Sequence, residues 1–442
     1  MSTGWQCWAK RSTRAPTQAA PGKTVPHCSK ARLVEMTMLR SSRMGRLHAT
    51  PSRGKEIFSF EYDRAWLGSE HALVVDPGLR LDRGPQHAPT GRDTFGVFLD
   101  SSPDRWGRVL LQRREAQRAR TEKRRERTLV ESDYLLGVYD GHRLGGLRFR
   151  IDGGPFLDDN IELASPPWTS LRELEHASLQ LERVGVERDP SYGKWLSMLI
   201  APGRSLGGAR PKASVLDTKK RLWIAKFPSA NDTEDIGAWE SVAHALAEKA
   251  GVGVAGAECK RFGKKHHTFL SRRFDRTDAG ERIHFASAMT MLECGDGEEG
   301  ASYIDLAGVL TQRGAHAPRD LEQLWRRIVF FVCISNVDDH LRNHGFLLEK
   351  KGWALAPAYD MNPVAHGDGL TLNISETDNA QDLELVLDVA KHFRVKAARA
   401  KEIVGEVETA VAQWRAEARQ AGILRAEQDR MASAFRVADG GA

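Results

Sequence analysis

The chain has 442 residues, 41% hydrophobic and 28% charged, with a net charge of +6. That is ordinary globular composition, with length enough for several domains or a large bilobal unit. No apolar run approaches the roughly 18–20 residues of a membrane-spanning helix. The densest apolar run, from Ile328 to Ile334, reads as a buried helix.

The charge is unevenly spread. Residues 1–50 hold nine Lys or Arg and one acid, Glu35, a charge of +8, which leaves −2 for the remainder. This segment is rich in Ser, Thr and Arg. It suits a targeting peptide, a basic arm for nucleic acid, or a disordered extension translated from upstream of the true start. Met36, Met38 and Met44 are possible later starts. The third reading is preferred, because nothing here builds a core. The five cysteines, Cys7, Cys28, Cys259, Cys294 and Cys333, form no CxxC pair and follow no secretory signal. They read as free thiols in a reducing cytoplasm.

From Gly54 the sequence becomes globular. Residues 57–62 alternate as a strand, and Leu73-Val74-Val75 is a second short candidate. Ser101-Ser102-Pro103-Asp104 predicts a helix start with Asp104 near the cap. That helix runs into the arginine-crowded stretch 113–127. It reads either as a solvated face with Glu115, Glu122 and Glu126 as partners, or as a contact for phosphate or an acidic protein. Residues 155–167 read as a linker or surface loop. Helical periodicity then returns over 171–184.

Ser205-Leu206-Gly207-Gly208-Ala209-Arg210-Pro211-Lys212 is a glycine-bearing loop that lets backbone N–H groups approach phosphate oxygens. Two glycines before a proline also describe an ordinary turn. Strands are predicted over 213–217 and 222–227. Lys226 is a charge inside the second, apolar strand, where it either meets phosphate or snorkels to solvent. The next helix starts near Asp235 and ends before Gly251. It offers Glu240 to orient Lys226, with Glu234 and Glu248 as rivals.

Residues 320–336 predict a helix with apolar residues at 3–4 spacing. It gives way to Asn336-Val337-Asp338-Asp339-His340-Leu341-Arg342-Asn343-His344, which is too polar for a core. A hairpin follows, Phe346-Leu347-Leu348 against Trp353-Ala354-Leu355-Ala356, and delivers Asp360. Asp338 and Asn343 have the D-x-x-x-x-N spacing of a kinase catalytic loop, and an Asp beyond the next hairpin completes a kinase metal site. Asp338 would take the proton of a substrate hydroxyl. Asn343 and Asp360 would hold Mg²⁺ through hard oxygen ligands. The rival is a metal-dependent phosphohydrolase using Asp338, His340, His344 and Asp360, with Asp339 as a further ligand. Helices are predicted again over 382–392 and 395–419.

At these residues the chain resembles the HipA family of serine/threonine kinases, the toxin halves of bacterial toxin–antitoxin pairs. The resemblance rests on residues 205–212, 223–228, Arg273-Phe274-Asp275-Arg276, 336–343 and 356–363, and reaches back to 58–62 and 103–108. It implies an α+β, bilobal protein-kinase-like fold, with a mixed α/β N-terminal lobe and a mostly helical C-terminal lobe. The implied division is a basic, disordered extension over 1–44, an N-terminal subdomain over 45–165, a kinase N-lobe over 166–275 and a helical C-lobe over 276–437. ATP and Mg²⁺ are the implied cofactors. Asp338 becomes the catalytic base, and Asn343 and Asp360 the metal ligands. Gly207, Gly208, Ala209, Lys212, Lys226, Arg272, Phe274 and His340 join them around the nucleotide.

Ser205 matches the family's autophosphorylated loop serine, whose modification is expected to switch the kinase off. The implied partners are a separate helix-turn-helix antitoxin (HipB-like), operator DNA through that complex, and a protein substrate. Characterised members target aminoacyl-tRNA synthetases. Two departures stand out. Arg272 occupies a hinge position where many members carry an acid, and Arg210-Pro211 replaces Gln-Glu. A degenerate co-repressor without phosphoryl transfer is a further alternative, against which the intact Asp338, Asn343 and Asp360 argue.

Overall fold

The computed structural model describes residues 32–38, 42–52, 55–70, 72–89, 91–151, 154–157, 166–200 and 210–438, with the backbone path alone at 32–38 and 42. A five-stranded antiparallel sheet comes first. Its strands are β1 (Arg32–Met38), β2 (Ser42–Ser52), β3 (Lys55–Tyr62), β4 (Gln86–His87) and β5 (Arg148–Arg150), in the order β4-β3-β2-β1-β5. Alternation in β3 turns Phe58, Phe60 and Tyr62 into the core and leaves Lys55 and Glu61 in solvent. Gly45 lies opposite Tyr62, where an added Cβ would come within 2.3 Å of the Glu61 carbonyl oxygen. A side chain there would push β2 and β3 apart.

Two expectations fail here. β1 lies inside the segment 1–44 read as a disordered extension, so strand structure begins by Arg32. β1 pairs with both β2 and β5, and partner strands supply an order that local composition does not reveal. Leu73-Val74-Val75 is not a strand. Val75 is buried, but Val74 is exposed and the segment has no ladder partner.

Helix α1 (Arg105–Thr121) starts where expected. The Asp104 side chain caps it by accepting from Gly107 N at 2.7 Å. Trp106 and Leu110 pack against α2 (Leu171–Leu181) and α3 (Tyr192–Ile200) in a second core. The arginine stretch is largely tied down within the protein. Glu115 is buried and pairs with Arg124 and Arg127, and Arg113 donates to the Leu181 carbonyl at 2.6 Å.

The second core also takes one face of a four-stranded sheet. Its strands are β6 (Lys212–Leu216), β7 (Leu222–Lys226), β8 (Ala257–Lys260) and β9 (Thr268–Arg272), in the order β6-β7-β9-β8. Between β7 and β8 runs α4 (Ile236–Lys249), capped by Asp235 and ended at Gly251 with φ +71°. Trp239, Val242, Ala243 and Leu246 of α4 belong to the third and largest core. That core is built around α5 (Ala317–Cys333) and α6 (Ala397–Val411). A three-stranded sheet of β10 (Phe285–Ser287), β11 (Gly345–Glu349) and β12 (Gly352–Leu355) closes it. Among the described residues, no helix is long and apolar enough to cross a membrane. The fold is thus α+β, sheet-rich in its N-terminal half and mostly helical after α4.

One buried charge cluster joins the first sheet's domain to the chain after β9. Asp275 accepts from Arg273, Arg276 and the Gly145 amide. Arg273 donates onward to the His142 carbonyl at 2.6 Å, and Arg276 to the Arg143 carbonyl at 2.8 Å. Burial alone would raise the Asp275 carboxyl, but the two guanidiniums outweigh it and hold it far below the usual range. Replacing Asp275 by Asn leaves two buried arginines under-compensated, an expected loss of about 3–5 kcal/mol in chemical denaturation. A depressed carboxyl contributes above its unfolded pKa and loses that contribution as pH falls through its folded value. The difference between wild type and Asp275→Asn is therefore expected to narrow below about pH 4.

Candidate active site

Lys226 ends β7, directly opposite Lys212 in the ladder. Its ammonium is bonded by Glu240 of α4 and by Asp360 Oδ1, the latter at 2.7 Å. Side-chain exposures of 13% for Lys226, 5% for Glu240 and 26% for Asp360 make this a recessed triad rather than a snorkelling lysine. Burial works against the ammonium, but the carboxylates of Asp360 and Glu240 overcome it and raise the Lys226 pKa. Burial likewise works to raise the Asp360 carboxyl, yet Lys226 and Lys212 hold it below the usual range. The expected choice of Glu240 over Glu234 and Glu248 holds. Glu240 faces the sheet, whereas Glu234 lies before the helix, 3.7 Å from Arg430.

The polar loop after α5 alternates in direction. Asp338 is exposed, with its side chain 76% accessible, and His340 Nε2 stands 3.8 Å from its Oδ1. Asp339 points inward, accepting from the Tyr303 hydroxyl and from Thr371 N at 2.6 Å. Burial pushes its carboxyl up to about 7. His344 is fully buried, its Nε2 3.2 Å from the Asp339 carbonyl and its ring against Tyr303 and Phe331. Burial drives its pKa well below the ordinary value, so it is a neutral core histidine. That removes His344 and Asp339 from the proposed hydrolase ligand set. Among the described residues, no group of three or more His, Cys, Asp or Glu is placed to hold a metal.

Asn343 and Asp360 nevertheless fit a hard cation. Asn343 Nδ2 donates to the Asp338 carbonyl at 2.6 Å. This fixes the amide and leaves Oδ1 buried with no hydrogen-bond partner. Asp360 sits at φ +58°, a left-handed conformation that costs a non-glycine residue about 1–3 kcal/mol and gathers at functional sites. After β12 the chain is pinned beside the end of α4, with Ala358 N donating to the Gly253 carbonyl at 2.8 Å. This brings Asp360 to Lys226. Amide and carboxylate oxygens are the ligand types Mg²⁺ takes, with substrate phosphates completing its shell.

Beside the triad lies a slot walled by Ile224, His244, Phe269, Phe274, Tyr359 and Met361, with Ser271 to Asp275 along one edge. Its walls are mainly apolar and aromatic, and suit a planar heterocycle. The rings of Phe274 and Tyr359 are 5.4 Å apart. The Tyr359 hydroxyl donates to the Arg342 carbonyl at 2.8 Å, linking the slot to the polar loop. Arg272 borders the slot with its guanidinium engaged by Asp278. Ile224, His244, Phe269, Tyr359 and Met361 are wall residues that sequence reasoning missed, although alternation along β7 and β9 marks which strand residues share a face.

Ser205, Gly207, Gly208 and Ala209 lie outside the described residues. Lys212 is buried, its ammonium 2.9 Å from Asp104 at the start of α1. The loop lysine therefore leans on the N-terminal region. Arg210 is held by Asp232.

Residues 204–414 match the model of the HipA-like C-terminal domain. The fold is similar to that of a chain in the Shewanella oneidensis MR-1 toxin–antitoxin complex of HipA, HipB and operator DNA. The TM-score is 0.63 at 16% identity, covering 92% of this chain and 98% of that one. A second structure, the Helicobacter pylori proinflammatory kinase CtkA, aligns at 14% identity with a TM-score of 0.36, over 54% of this chain and 95% of that one. No curated protein matches the chain.

Glu240→Gln removes one of the two carboxylates that fix Lys226. Nucleotide affinity by calorimetry is expected to fall about tenfold, the scale of one charged hydrogen bond, with circular dichroism unchanged. Unaltered affinity would mean that the Lys226–Glu240 pair does not shape the site.

Proposed function

We propose that this chain, whose residues 204–414 match the HipA-like C-terminal domain, is a protein serine/threonine kinase that uses ATP and Mg²⁺. The observation that carries the reading is the bridge from Lys226 to both Glu240 and Asp360, beside a loop that exposes Asp338 and orients Asn343. This is the arrangement that phosphoryl transfer requires, with positioning and charge compensation as the main work of the protein.

In this reading the slot between Phe274 and Tyr359 takes the adenine, and Lys226 meets the phosphates. Asn343 and Asp360 would hold Mg²⁺, which would supply charge neutralisation on the phosphate oxygens. Asp338 accepts the proton of the substrate hydroxyl and orients its oxygen for in-line attack on the γ-phosphorus. The high exposure of Asp338 suits a base that must meet another protein. Partial desolvation raises its carboxyl, with Asp360 adding to the shift and His340 opposing it. Ser205, which precedes the buried Lys212, is the proposed autophosphorylation site.

The proposed setting is the toxin half of a toxin–antitoxin pair in the cytoplasm. Likeness in fold to a chain of such a complex supports a helix-turn-helix antitoxin as partner and operator DNA reached through it. The free thiols of Cys259, Cys294 and Cys333 suit a reducing compartment. Arg113, Arg124 and Arg127 are engaged inside the protein, which favours DNA contact by the antitoxin over contact by this stretch. The substrate is a protein hydroxyl, an aminoacyl-tRNA synthetase being the family precedent.

With labelled ATP and Mg²⁺, the wild-type protein is expected to label itself at Ser205, read by mass spectrometry. Asp338→Asn is expected to slow transfer about a thousandfold, as loss of a general base does, while ATP still binds. Equal labelling in both proteins would falsify the assignment, and ATP binding without transfer in the wild type would favour a silent co-repressor. Transfer needs Asp338 ionised, so the rate rises with pH as its carboxyl loses its proton. The acid limb is expected above about pH 4, the ordinary carboxylate value, and absent from the residual rate of Asp338→Asn.

A further inference from the structure

A second cavity lies beyond Arg272 and Arg273, which border both it and the nucleotide slot. Three separate segments wall it: Tyr139 to Gly141 with Arg148, the β6–β7 turn, and the stretch from Arg272 to Arg282. Seven of its lining side chains are cationic and two, Asp140 and Asp278, are anionic. Asp217 and Asp275 stand directly behind, paired with Arg221 and with the Arg273–Arg276 couple. Four carboxylates thus face seven cations, an excess of three positive charges.

Much of this charge has a structural use. Asp275 holds Arg273 and Arg276, and Asp140 holds Arg148 and Arg282. These ties join the N-terminal sheet to the chain after β9. Arg221 and Arg272 on the same cavity pair with Asp217 and Asp278, and Lys220 is accounted for by none of these ties. Lys220 stands at the tip of the β6–β7 turn at φ +61°. Its ammonium has no ion pair among the described residues. The turn is fixed by Asp217, which accepts from the amides of Lys219 and Arg221 and from the Arg221 side chain. Lys220 is therefore held at the rim by the backbone.

The deeper cations are under-neutralised. Burial first of all, then the neighbouring Arg273 and Arg282 charges, pull Arg276 down to about 9 against the opposing pull of Asp275. Burial and the charges of Arg148 and Arg143 bring Arg282 to about 10, with Asp140 opposing. An added anion would relieve this crowding. Cations from three walls border one concave space, a shape that suits a compact polyanion. A nucleic-acid backbone needs its cations spread along a line.

We propose that this cavity binds a small phosphorylated molecule, at a site separate from the nucleotide slot. Its chemical class is a compact ligand with one or two phosphoryl groups, gripped by Lys220, Arg221 and Arg272 at the rim and by Arg276 and Arg282 below. The proposal does not depend on the kinase reading, since none of these residues takes part in the proposed transfer beyond the shared border at Arg272.

Pyrophosphate is the probe, titrated by calorimetry into the full-length protein. Wild type is expected to bind it, and Lys220→Glu and Arg221→Gln each to weaken that binding about tenfold, the scale of a lost charged contact. Lys220 is exposed at a turn tip, so Lys220→Glu is expected to keep the wild-type melting temperature and carries the comparison if Arg221→Gln does not. Lys226→Met, which removes the cleft's phosphate lysine, is expected to leave a pyrophosphate site in place. Pyrophosphate binding that survives Lys220→Glu unchanged overturns the proposal. So does binding lost in Lys226→Met alone, or the absence of any binding. A duplex oligonucleotide that binds through Lys220 and is not displaced by pyrophosphate overturns it as well, and assigns the charges to nucleic acid.

Discussion

The ammonium of Lys226 is the point on which the site depends. Removing a lysine from water costs several kcal/mol, and the cost is offset only by well-placed opposite charge. Glu240 and Asp360 supply two carboxylates from different parts of the chain. β7 is anchored in the core shared with α1, α2 and α3, whereas α4 packs into the core of α5 and α6. The two ion pairs therefore join three segments at one ammonium: β7, α4 and the chain after β12.

The polar loop after α5 owes its shape to the same rule applied to neutral and polar groups. Asp339 and His344 turn inward and are satisfied by Tyr303, Thr371 and a backbone carbonyl. Asn336 Oδ1 accepts from Asn362 N at 2.8 Å, tying the start of the loop to the segment after Asp360. With its inner residues held, the loop presents Asp338 outward, with His340 half-buried beside it. Asn343 donates one amide hydrogen within the loop and keeps its oxygen unpartnered. A buried polar atom without a partner is costly, so the loop stores an acceptor that a cation would satisfy.

Charge also joins the N-terminal sheet to the rest. Asp275 gathers two arginines that reach across to backbone carbonyls of residues 142 and 143. Lys212 and Asp104 form a second buried tie, from the strand opposite Lys226 to the cap of α1. Both ties run from the N-terminal region to residues that border the slot beside Lys226 or pair with β7. The N-terminal sheet is thus mechanically continuous with the site, although it lends no residue to the proposed transfer.

Much of this is legible in the sequence wherever local rules dominate. The alternation of β3, the Asp104 and Asp235 caps, the hairpin after the polar loop and the spacing of Asp338, Asn343 and Asp360 all follow from short-range geometry. Where partners come from far along the chain, local rules fail. β1 lies in a segment whose composition argues for disorder, because its order comes from pairing with β2 and β5. Leu73-Val74-Val75 has strand residues but no neighbouring strand. His340 and His344 look equivalent four residues apart, yet one is half-buried beside Asp338 and the other is enclosed by Tyr303 and Phe331. By itself the sequence determined which residues are chemically able to do the work, since charge, spacing and turn chemistry are local properties. Only the tertiary structure decided which of them meet: that Lys226 takes Glu240 and Asp360, that Lys212 turns to Asp104, and that seven cations share one cavity. The reason is physical, because burial and the pairing it enforces are set by packing between distant segments.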